Sequence, residues 1–188
     1  MSTQERARRL NQIPKLIWFT GLSGSGKTTL VNALNELLEE NNFVTAVLDG
    51  DAVRKTLNKD LGYSRDDRDE NLRRVAEVSN LLLTSGLIVL AAFISPFQVE
   101  RDRIKKIVGD ENYIEVFVST PIDTCEQRDV KGLYAKARKG LLPAFTGISS
   151  PYEVPLNPSI TIDTTHSSVA SDAITLFKII LPLVSFAN

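Results

Sequence analysis

A glycine-rich octapeptide near the amino terminus constrains the fold of this chain more than any other feature. From Gly21 to Thr28 it fits the pattern GxxxxGK[ST], and it stands between the apolar run 16–20 and a segment with apolar residues at helical spacing. Glycines let a backbone wrap closely around phosphate oxygens, and the free amides at a helix start point towards them. The octapeptide therefore predicts a nucleoside triphosphate site. The residues predicted to contact the triphosphate are Gly21, Leu22, Ser23, Gly24, Ser25, Gly26, Lys27, Thr28 and Thr29.

Two side chains of the octapeptide have separate predicted tasks. Lys27 should reach the β and γ phosphates, and the Thr28 hydroxyl should bind Mg²⁺. The motif leaves open whether the protein is a metabolite kinase, a GTPase switch or a motor-like ATPase. A guanine-reading segment would have the pattern NKxD, but the nearest string, Asn58 to Leu61, has its aspartate one place early. The string Asp129 to Gly132 fits DxxG, yet so short a pattern arises easily by chance. Guanine specificity is therefore unsupported.

Short apolar runs alternate with helical patterns along the chain. The runs 16–20, 44–48, 87–94, 113–118 and 159–162 are typical of buried strands. Between two of them, Leu30, Leu34 and Leu38 share one helical face, and Thr120-Pro121 resembles a helix start. Parallel strands need crossover connections, which are usually helical. The pattern predicts an α/β, three-layer P-loop NTPase fold with a parallel β-sheet flanked by helices, and ligands at the carboxyl ends of the strands.

Length and composition are those of an ordinary globular protein. A chain of 188 residues fits one domain, and a net charge of −1 gives no support to binding of nucleic acid or an anionic membrane. Cys125 is the only cysteine, which suits a reducing compartment, so a cytoplasmic protein is expected. Ser2 and Glu5 have capping-box spacing and predict a short helix over about residues 1–13. The apolar tail 173–187 is too short to span a membrane and predicts a terminal helix packed on the core.

Charged residues follow the second and third predicted strands, where an open α/β sheet presents its ligands. Asp49, Asp51 and Arg54 come directly after the second strand. A carboxylate there can take the proton of an attacking hydroxyl or help to hold Mg²⁺, and a guanidinium can clamp an anion. Arg68 and Asn71 lie three apart at a predicted helix start, a spacing that also suits solvated surface residues. Ser95 follows the third strand and could be a nucleophile, a substrate contact or only a cap.

A series of longer strings resembles the adenylylsulfate kinase family from about Lys15 to Thr165. The strings are GLSGSGKTT, LDGDAVR, LGYS, RDENLRR, AFISPF, CEQRDVKGLYAKAR and FTGI, and they occur in the family's order. The resemblance implies transfer of the γ-phosphate of ATP to the 3′-hydroxyl of adenosine 5′-phosphosulfate (APS), with Mg²⁺ as cofactor. It also implies a single kinase domain over residues 1–188 and a homodimer, because relatives are commonly dimeric.

The resemblance also implies roles for individual residues. Asp51 would orient or deprotonate the 3′-hydroxyl, and Tyr63 and Phe145 would stack on the adenine of APS. A mobile lid over about residues 128–142 would close over the phosphates, with Arg128 against the adenine of ATP. Ser95 is a possible phosphoserine intermediate, although direct transfer between two bound nucleotides is the preferred reading. The remaining implied contacts are Arg54, Arg68, Asn71, Ile94, Ser95 and Lys131 for APS, Arg138 for ATP, Lys136 in the lid, and Asp49 with Asp51 and Thr28 for the metal.

Two positions near Ser95 bear on anion binding. Many relatives continue after Ser-Pro with Tyr-Arg, whereas this chain has Phe97 and Gln98 and so lacks an arginine that could contact an anion. Arg101 stands where the family's next arginine is expected, and it could serve as the anion contact instead.

Overall fold

One sheet of five parallel strands positions the candidate site. The computed structural model describes residues 2–186. The strands are β1 (Leu16–Thr20), β2 (Thr45–Asp49), β3 (Ile88–Ala92), β4 (Tyr113–Val118) and β5 (Ile160–Ile162). Their spatial order is β2-β3-β1-β4-β5, and each neighbouring pair is parallel. All five predicted strands are present, with ends shifted by at most two residues, and the prediction of a parallel sheet is confirmed.

Strand β1 lies at the centre of the sheet and is buried along its whole length. It pairs with β3 on one side and with β4 on the other, so that Trp18 lies level with Ala91 and with Glu115. A strand covered on both faces needs an unbroken apolar run, which the segment LIWFT provides. The chain visits β2 and β3 on one side of β1 and β4 and β5 on the other. The carboxyl end of β1 is therefore the switch point at which open α/β sheets bind ligands.

Helices cover both faces of the sheet. They are α1 (Thr3–Leu10), α2 (Lys27–Glu40), α3 (Gly50–Lys55), α4 (Arg65–Thr84), α5 (Gln98–Val108), α6 (Ile122–Arg128), α7 (Leu133–Arg138) and α8 (Val169–Val184). Ile17 and Phe19 of β1 pack in one apolar cluster with residues of α2 and α8, while Leu16 and Trp18 pack in a second cluster with residues of α4 and α5. Alternate side chains of one strand thus enter two different cores, and the predicted three-layer fold is confirmed.

Helices α1 and α8 lie near the two ends of the chain, and α1 is shorter than the predicted helix over about residues 1–13. Ser2 caps α1, because its hydroxyl accepts from the Glu5 amide at 3.2 Å while the Glu5 carboxylate accepts from the Ser2 amide at 2.6 Å. Helix α8 packs on the core through buried residues that include Leu176 and Ile180. Met1, Ala187 and Asn188, which belong to the predicted terminal segments, lie outside the described residues. Within residues 2–186, no helix is long and apolar enough to cross a membrane.

The helix start predicted at Thr120-Pro121 differs by one residue. Helix α6 begins at Ile122, and Pro121 rather than Thr120 occupies the cap position. The Thr120 hydroxyl instead donates to the backbone carbonyl of Ser25, at 3.1 Å. A tertiary contact with the glycine-rich loop has thus taken the side chain that local sequence assigned to the helix cap.

Leu34 of α2 tests how much the core beneath the glycine-rich loop contributes to stability. Its side chain is fully buried against β1 and α8 residues, whereas Leu81 of α4 is 68% exposed. We expect Leu34→Ala to lower the free energy of unfolding by about 2–5 kcal/mol, because it removes buried methyl groups and leaves a cavity. Leu81→Ala should change it by no more than about 0.5 kcal/mol. Urea unfolding of both variants measures the difference, and equal losses would contradict this assignment of the core.

Candidate functional site

The glycine-rich loop connects the carboxyl end of β1 to the start of α2. A Cβ atom on Gly21 would lie 2.6 Å from the backbone oxygen of Val118 at the end of β4, so the close approach of the two strand ends requires glycine. Gly26 precedes α2 with φ 100°, a conformation that side chains disfavour. Both positions confirm that these glycines shape the loop. The loop therefore stands at the switch point of the sheet, above the start of a 14-residue helix.

Five side chains from different parts of the fold donate hydrogen bonds to the carbonyls of the loop. The Lys27 ammonium donates to the carbonyls of Gly21 and Leu22, at 2.9 and 2.7 Å. The other donors are Tyr134 to Ser23 at 2.9 Å, Arg128 to Gly24 at 3.4 Å, and Thr120 and Thr164 to Ser25 at 3.1 and 2.9 Å. Side chains thus bind these carbonyls. The Ser25 amide donates to the Leu22 carbonyl at 3.2 Å, and the remaining amides of the loop can bind an anion. This is the polarity that a phosphate site needs.

Burial gives Lys27 an unusual acidity. Its side chain is 9% exposed, and removal from water lowers the pKa of its ammonium to about 8. The nearby carboxylates of Asp49 and Asp51 oppose this shift, and the Lys131 ammonium adds to it. A triphosphate would supply the missing negative charge. In this structure the Lys27 ammonium is bonded to the loop carbonyls, and its contact with phosphates stays a prediction.

Thr28 and Asp49 place two oxygen ligands side by side. The Thr28 hydroxyl donates to one carboxylate oxygen of Asp49 at 2.8 Å. The other oxygen accepts from the Asp51 amide at 2.9 Å, so that Asp49 caps α3 as well. Among residues 2–186 there is no group of three or more metal-ligating side chains. This donor set suits Mg²⁺, which takes few protein oxygens and completes its shell with water and phosphate oxygens.

Two residues that sequence analysis missed tie distant parts of the chain to the loop. Thr164, which follows β5, donates to Ser25 and accepts from Arg128 at 2.8 Å. Tyr134 of α7 is 1% exposed, and its ring packs edge-on against that of Phe145 with centroids 5.0 Å apart. Tyr134 lies in the string CEQRDVKGLYAKAR, which was part of the family resemblance. A single aromatic residue in a basic helix did not by itself indicate a contact with the loop. Tyr134 connects the predicted lid both to the loop and to a predicted adenine contact.

The lid residues lie at different distances from the site. Lys131 forms an ion pair with Asp51, and both side chains are more than half exposed. Arg128 donates twice to Thr164, once to its hydroxyl and once to its carbonyl, beside the glycine-rich loop. Arg138 instead forms a two-pronged ion pair with Glu126, at 2.9 and 2.8 Å. Arg128 therefore lies beside the glycine-rich loop and Lys131 beside Asp51, whereas Arg138 is paired with a carboxylate of α6.

Two arginines come together on the acceptor side. The Arg54 guanidinium lies 4.5 Å from the centroid of the Tyr63 ring and donates to the Gly62 carbonyl, while Arg68 donates to the Tyr63 carbonyl at 2.9 Å. Burial first, and then the charge of Arg54, lowers the pKa of Arg68. Neither guanidinium forms an ion pair with a carboxylate within residues 2–186. Two neighbouring cations without a bonded carboxylate favour binding of an anion.

Ser95 lies in the turn after β3, with its hydroxyl inside the protein. The residue is 1% exposed, and its Oγ accepts from Trp18 Nε1 at 3.0 Å and donates to the Thr20 hydroxyl at 2.9 Å. Its backbone has φ 38°, which is strained for a serine. The Thr20 hydroxyl also donates to the Ile94 carbonyl at 2.7 Å. Because β3 lies between β1 and β2, this turn stands between the glycine-rich loop and the Asp51 segment.

The expectation that Arg101 serves as an anion contact is wrong. The side chain is 1% exposed, donates to the Ser95 carbonyl at 2.8 Å, and has its Nε atom 3.1 Å from a Glu115 carboxylate oxygen. Gln98, which replaces the common arginine, accepts from Arg101 at 2.8 Å. An arginine at position 98 would bring a second charge against this buried guanidinium. Arg101 therefore holds the Ser95 turn from inside the protein, and Gln98 holds Arg101.

The pKa of Lys27 gives a pH dependence that can be tested. The pKa is about 8 in the folded protein and 10.5 for an ordinary lysine, so the unfolded chain binds more protons between these values. Stability of the ligand-free protein should therefore rise with pH across this range, by up to about 3 kcal/mol from this one group. Urea unfolding from pH 7 to 10.5, compared with Lys27→Met, isolates the effect. We expect the variant to lack this rise, and parallel curves would contradict the proposed burial cost.

Comparison with known proteins identifies the family. The family model described as adenylylsulphate kinase matches residues 13–163. The adenylyl-sulfate kinase of Shewanella sp. (strain ANA-3) is 58% identical over 166 residues, which cover 88% of this chain and 81% of that protein. That of Bacteroides thetaiotaomicron is 48% identical over 184 residues, covering 98% and 92%. The structure of a Mycobacterium tuberculosis adenylylsulfate kinase in complex with AMPPNP and APS has a TM-score of 0.86 at 44% identity, covering 89% and 98%. This chain belongs to the adenylylsulfate kinase family.

Proposed function

We propose that the protein transfers the γ-phosphate of ATP to the 3′-hydroxyl of APS. One observation carries the proposal: a single edge of the sheet holds the glycine-rich loop after β1 and, after β2, a carboxylate and an arginine, with a second arginine beside the first. This edge offers one site for a triphosphate and a second site for an anionic acceptor. The related Mycobacterium tuberculosis enzyme, which was solved with AMPPNP and APS together, supports the same pairing of ligands.

The glycine-rich loop holds the donor in this proposal. Lys27 leaves the carbonyls of Gly21 and Leu22 and binds the β and γ phosphates, because their negative charge stabilises the ionised ammonium that burial disfavours. The loop amides bind the remaining phosphate oxygens. Arg128 lies at the outer side of the loop and packs against the adenine of ATP. Closure of the lid would bring Arg138 towards the phosphates after release from Glu126.

Mg²⁺ is the metal that the site's oxygen ligands suit. Thr28 and Asp49 would hold it through the paired hydroxyl and carboxylate, with Asp51 as a further ligand from the same segment. When bound, the ion supplies positive charge that offsets the charge developing on the transferred group. Side chains of the protein make the other contributions to the transfer.

Asp51 prepares the attacking hydroxyl. Its carboxylate accepts the proton of the 3′-hydroxyl, the oxygen forms a bond to the γ-phosphorus, and the bond between that phosphorus and ADP breaks. The ion pair between Asp51 and Lys131 must open for this step, and Lys131 is then free to bind the anionic acceptor. Asp51 therefore exchanges a lid contact for a substrate contact when the site fills.

The acceptor is held by charge and by aromatic stacking. Arg54, Arg68 and Asn71 bind the phosphosulfate part of APS, which carries the negative charge that the two neighbouring guanidiniums lack. Tyr63, with 71% of its surface exposed, and Phe145 offer ring faces to the adenine. Ile94 and Ser95 line the same pocket through the turn after β3. The expected homodimer and cytoplasmic location stay predictions.

Transfer is direct in this proposal, without a phosphoserine at Ser95. Support comes from the Ser95 hydroxyl, which is buried and already bonded to Trp18 and Thr20. After incubation with γ-labelled ATP in the absence of APS, we expect no label on the denatured protein, as measured by filter binding and peptide mapping. Label on Ser95 that moves into product when APS is added would overturn direct transfer.

Release of ADP tests the proposed function itself. With ATP, Mg²⁺ and APS we expect one ADP for each APS consumed, and little ADP when APS is left out. Asp51→Ala should lower turnover about 10²–10⁴-fold, the usual contribution of a general base, while the dissociation constant for ATP stays near that of the native protein. A coupled ADP assay and calorimetric titration with ATP measure the two quantities. Binding of ATP without APS-dependent ADP release would refute the proposal.

A further inference from the structure

Asn58 is a fully buried amide that belongs to none of the predicted sites. It lies in the turn between α3 and α4, where its backbone amide donates to the Val53 carbonyl at 3.0 Å. Its side-chain Nδ2 donates to Asn71 Oδ1 at 2.9 Å and approaches the backbone carbonyl of Asn71 at 3.4 Å. Asn58 therefore touches, through its side chain, the one uncharged polar residue proposed to bind the anionic part of the acceptor.

The two contacts fix which way both amides point. A backbone carbonyl can only accept hydrogen bonds, so the NH₂ end of Asn58, and not its oxygen, must face Asn71. The same NH₂ group then requires an acceptor from the Asn71 side chain, which is Oδ1. Asn71 is consequently left with its own NH₂ group free to donate elsewhere. This group sits on the first turns of α4, three residues after Arg68.

This orientation of the Asn58 amide leaves its oxygen without a hydrogen bond among the described residues. Asn58 Oδ1 is buried and has no hydrogen-bond partner among residues 2–186. An unsatisfied buried acceptor lowers stability, and an apolar side chain at this position would avoid the loss. An asparagine with an unpaired oxygen is useful where its NH₂ end is needed. Here that end holds Asn71 by its oxygen.

We infer that Asn58 is a positioning residue that presents the NH₂ group of Asn71, and not its oxygen, to the anionic group of the acceptor. The inference rests on the proposed function, since it assigns Asn71 to acceptor binding. A donor facing an anion attracts it, whereas the opposite end of the same amide would repel it. Asn58 thus acts on acceptor affinity through one intervening side chain.

A double-mutant cycle tests the inference through the KM for APS. We expect Asn71→Ala to raise this KM about tenfold or more, the effect of losing a hydrogen bond to a charged group. Asn58→Ala should raise it by a similar or smaller factor in the native protein and by no further factor in the Asn71→Ala background. The KM for ATP should stay within about twofold in all variants. Equal increases in both backgrounds, or no increase in the native one, would overturn the inference.

Two further variants separate an effect on APS binding from a loss of folding. Asn71→Asp keeps an acceptor for Asn58 but has no donor end, so it should stay folded and still raise the KM for APS about tenfold or more. An unchanged KM in this variant would also overturn the inference. Gln12→Ala removes another fully buried amide, which donates to the Val44 and Gly86 carbonyls at the opposite edge of the sheet. It should lower stability and leave the KM for APS near its native value.

Failure of the inference can be told apart from failure of the proposed function. If the native protein releases no APS-dependent ADP, the function is wrong. If it does and the Asn58 variants keep the native KM for APS, only the role of Asn58 is wrong.

Discussion

The central position of β1 is the constraint on which the rest of the structure depends. Its backbone pairs on both sides, with β3 and β4, and its side chains are buried in two separate cores. A strand held in this way leaves the sheet at a fixed point and in a fixed direction. The glycine-rich loop starts at that point, and Gly21 packs against the end of β4 so closely that a methyl group would not fit. The location of the phosphate site thus follows from the packing of a strand.

Hydrogen bonds then decide the polarity of the loop. Lys27 comes from the loop itself, but Thr120, Arg128, Tyr134 and Thr164 come from segments about a hundred or more residues later, and all donate to its carbonyls. Because side chains occupy these oxygens, the loop amides other than that of Ser25, which donates to the Leu22 carbonyl, can bind an anion. The same donors connect the loop to α6, to α7 and to the end of β5. A change in the position of α6 or α7 can therefore reach the loop through Arg128 or Tyr134.

Charge distinguishes the side chains that are proposed to bind the acceptor. Arg54 and Arg68 lie together and neither is bonded to a carboxylate of residues 2–186, while the carboxylate of Asp51 is paired with Lys131. Behind them, the Ser95 turn is held by Arg101, whose own charge faces Glu115 in the interior. Burial raises the pKa of the Glu115 carboxyl, and the neighbouring guanidinium opposes that shift. Arg101 therefore has a supporting role because its charge is paired with Glu115, whereas the two arginines proposed to bind APS have no such pair among residues 2–186.

The sequence by itself determined the parallel sheet, the succession of strands and helices along the chain, and the phosphate loop. These depend on local patterns: unbroken apolar runs such as 16–20, helical spacing in α2, and glycines followed by Lys27 and Thr28. It also supplied the residues proposed to bind the acceptor, through their resemblance to a family. Only the tertiary structure decided the partner of each polar side chain. Arg101 lies inside the protein, and Thr120 bonds to the loop and does not cap its helix. Thr164, Tyr134 and Asn58 contact residues that are far along the chain or in another element. Spacing along a chain reports the face on which a residue lies, but a hydrogen bond depends on two groups whose distance is set by the packing of separate elements.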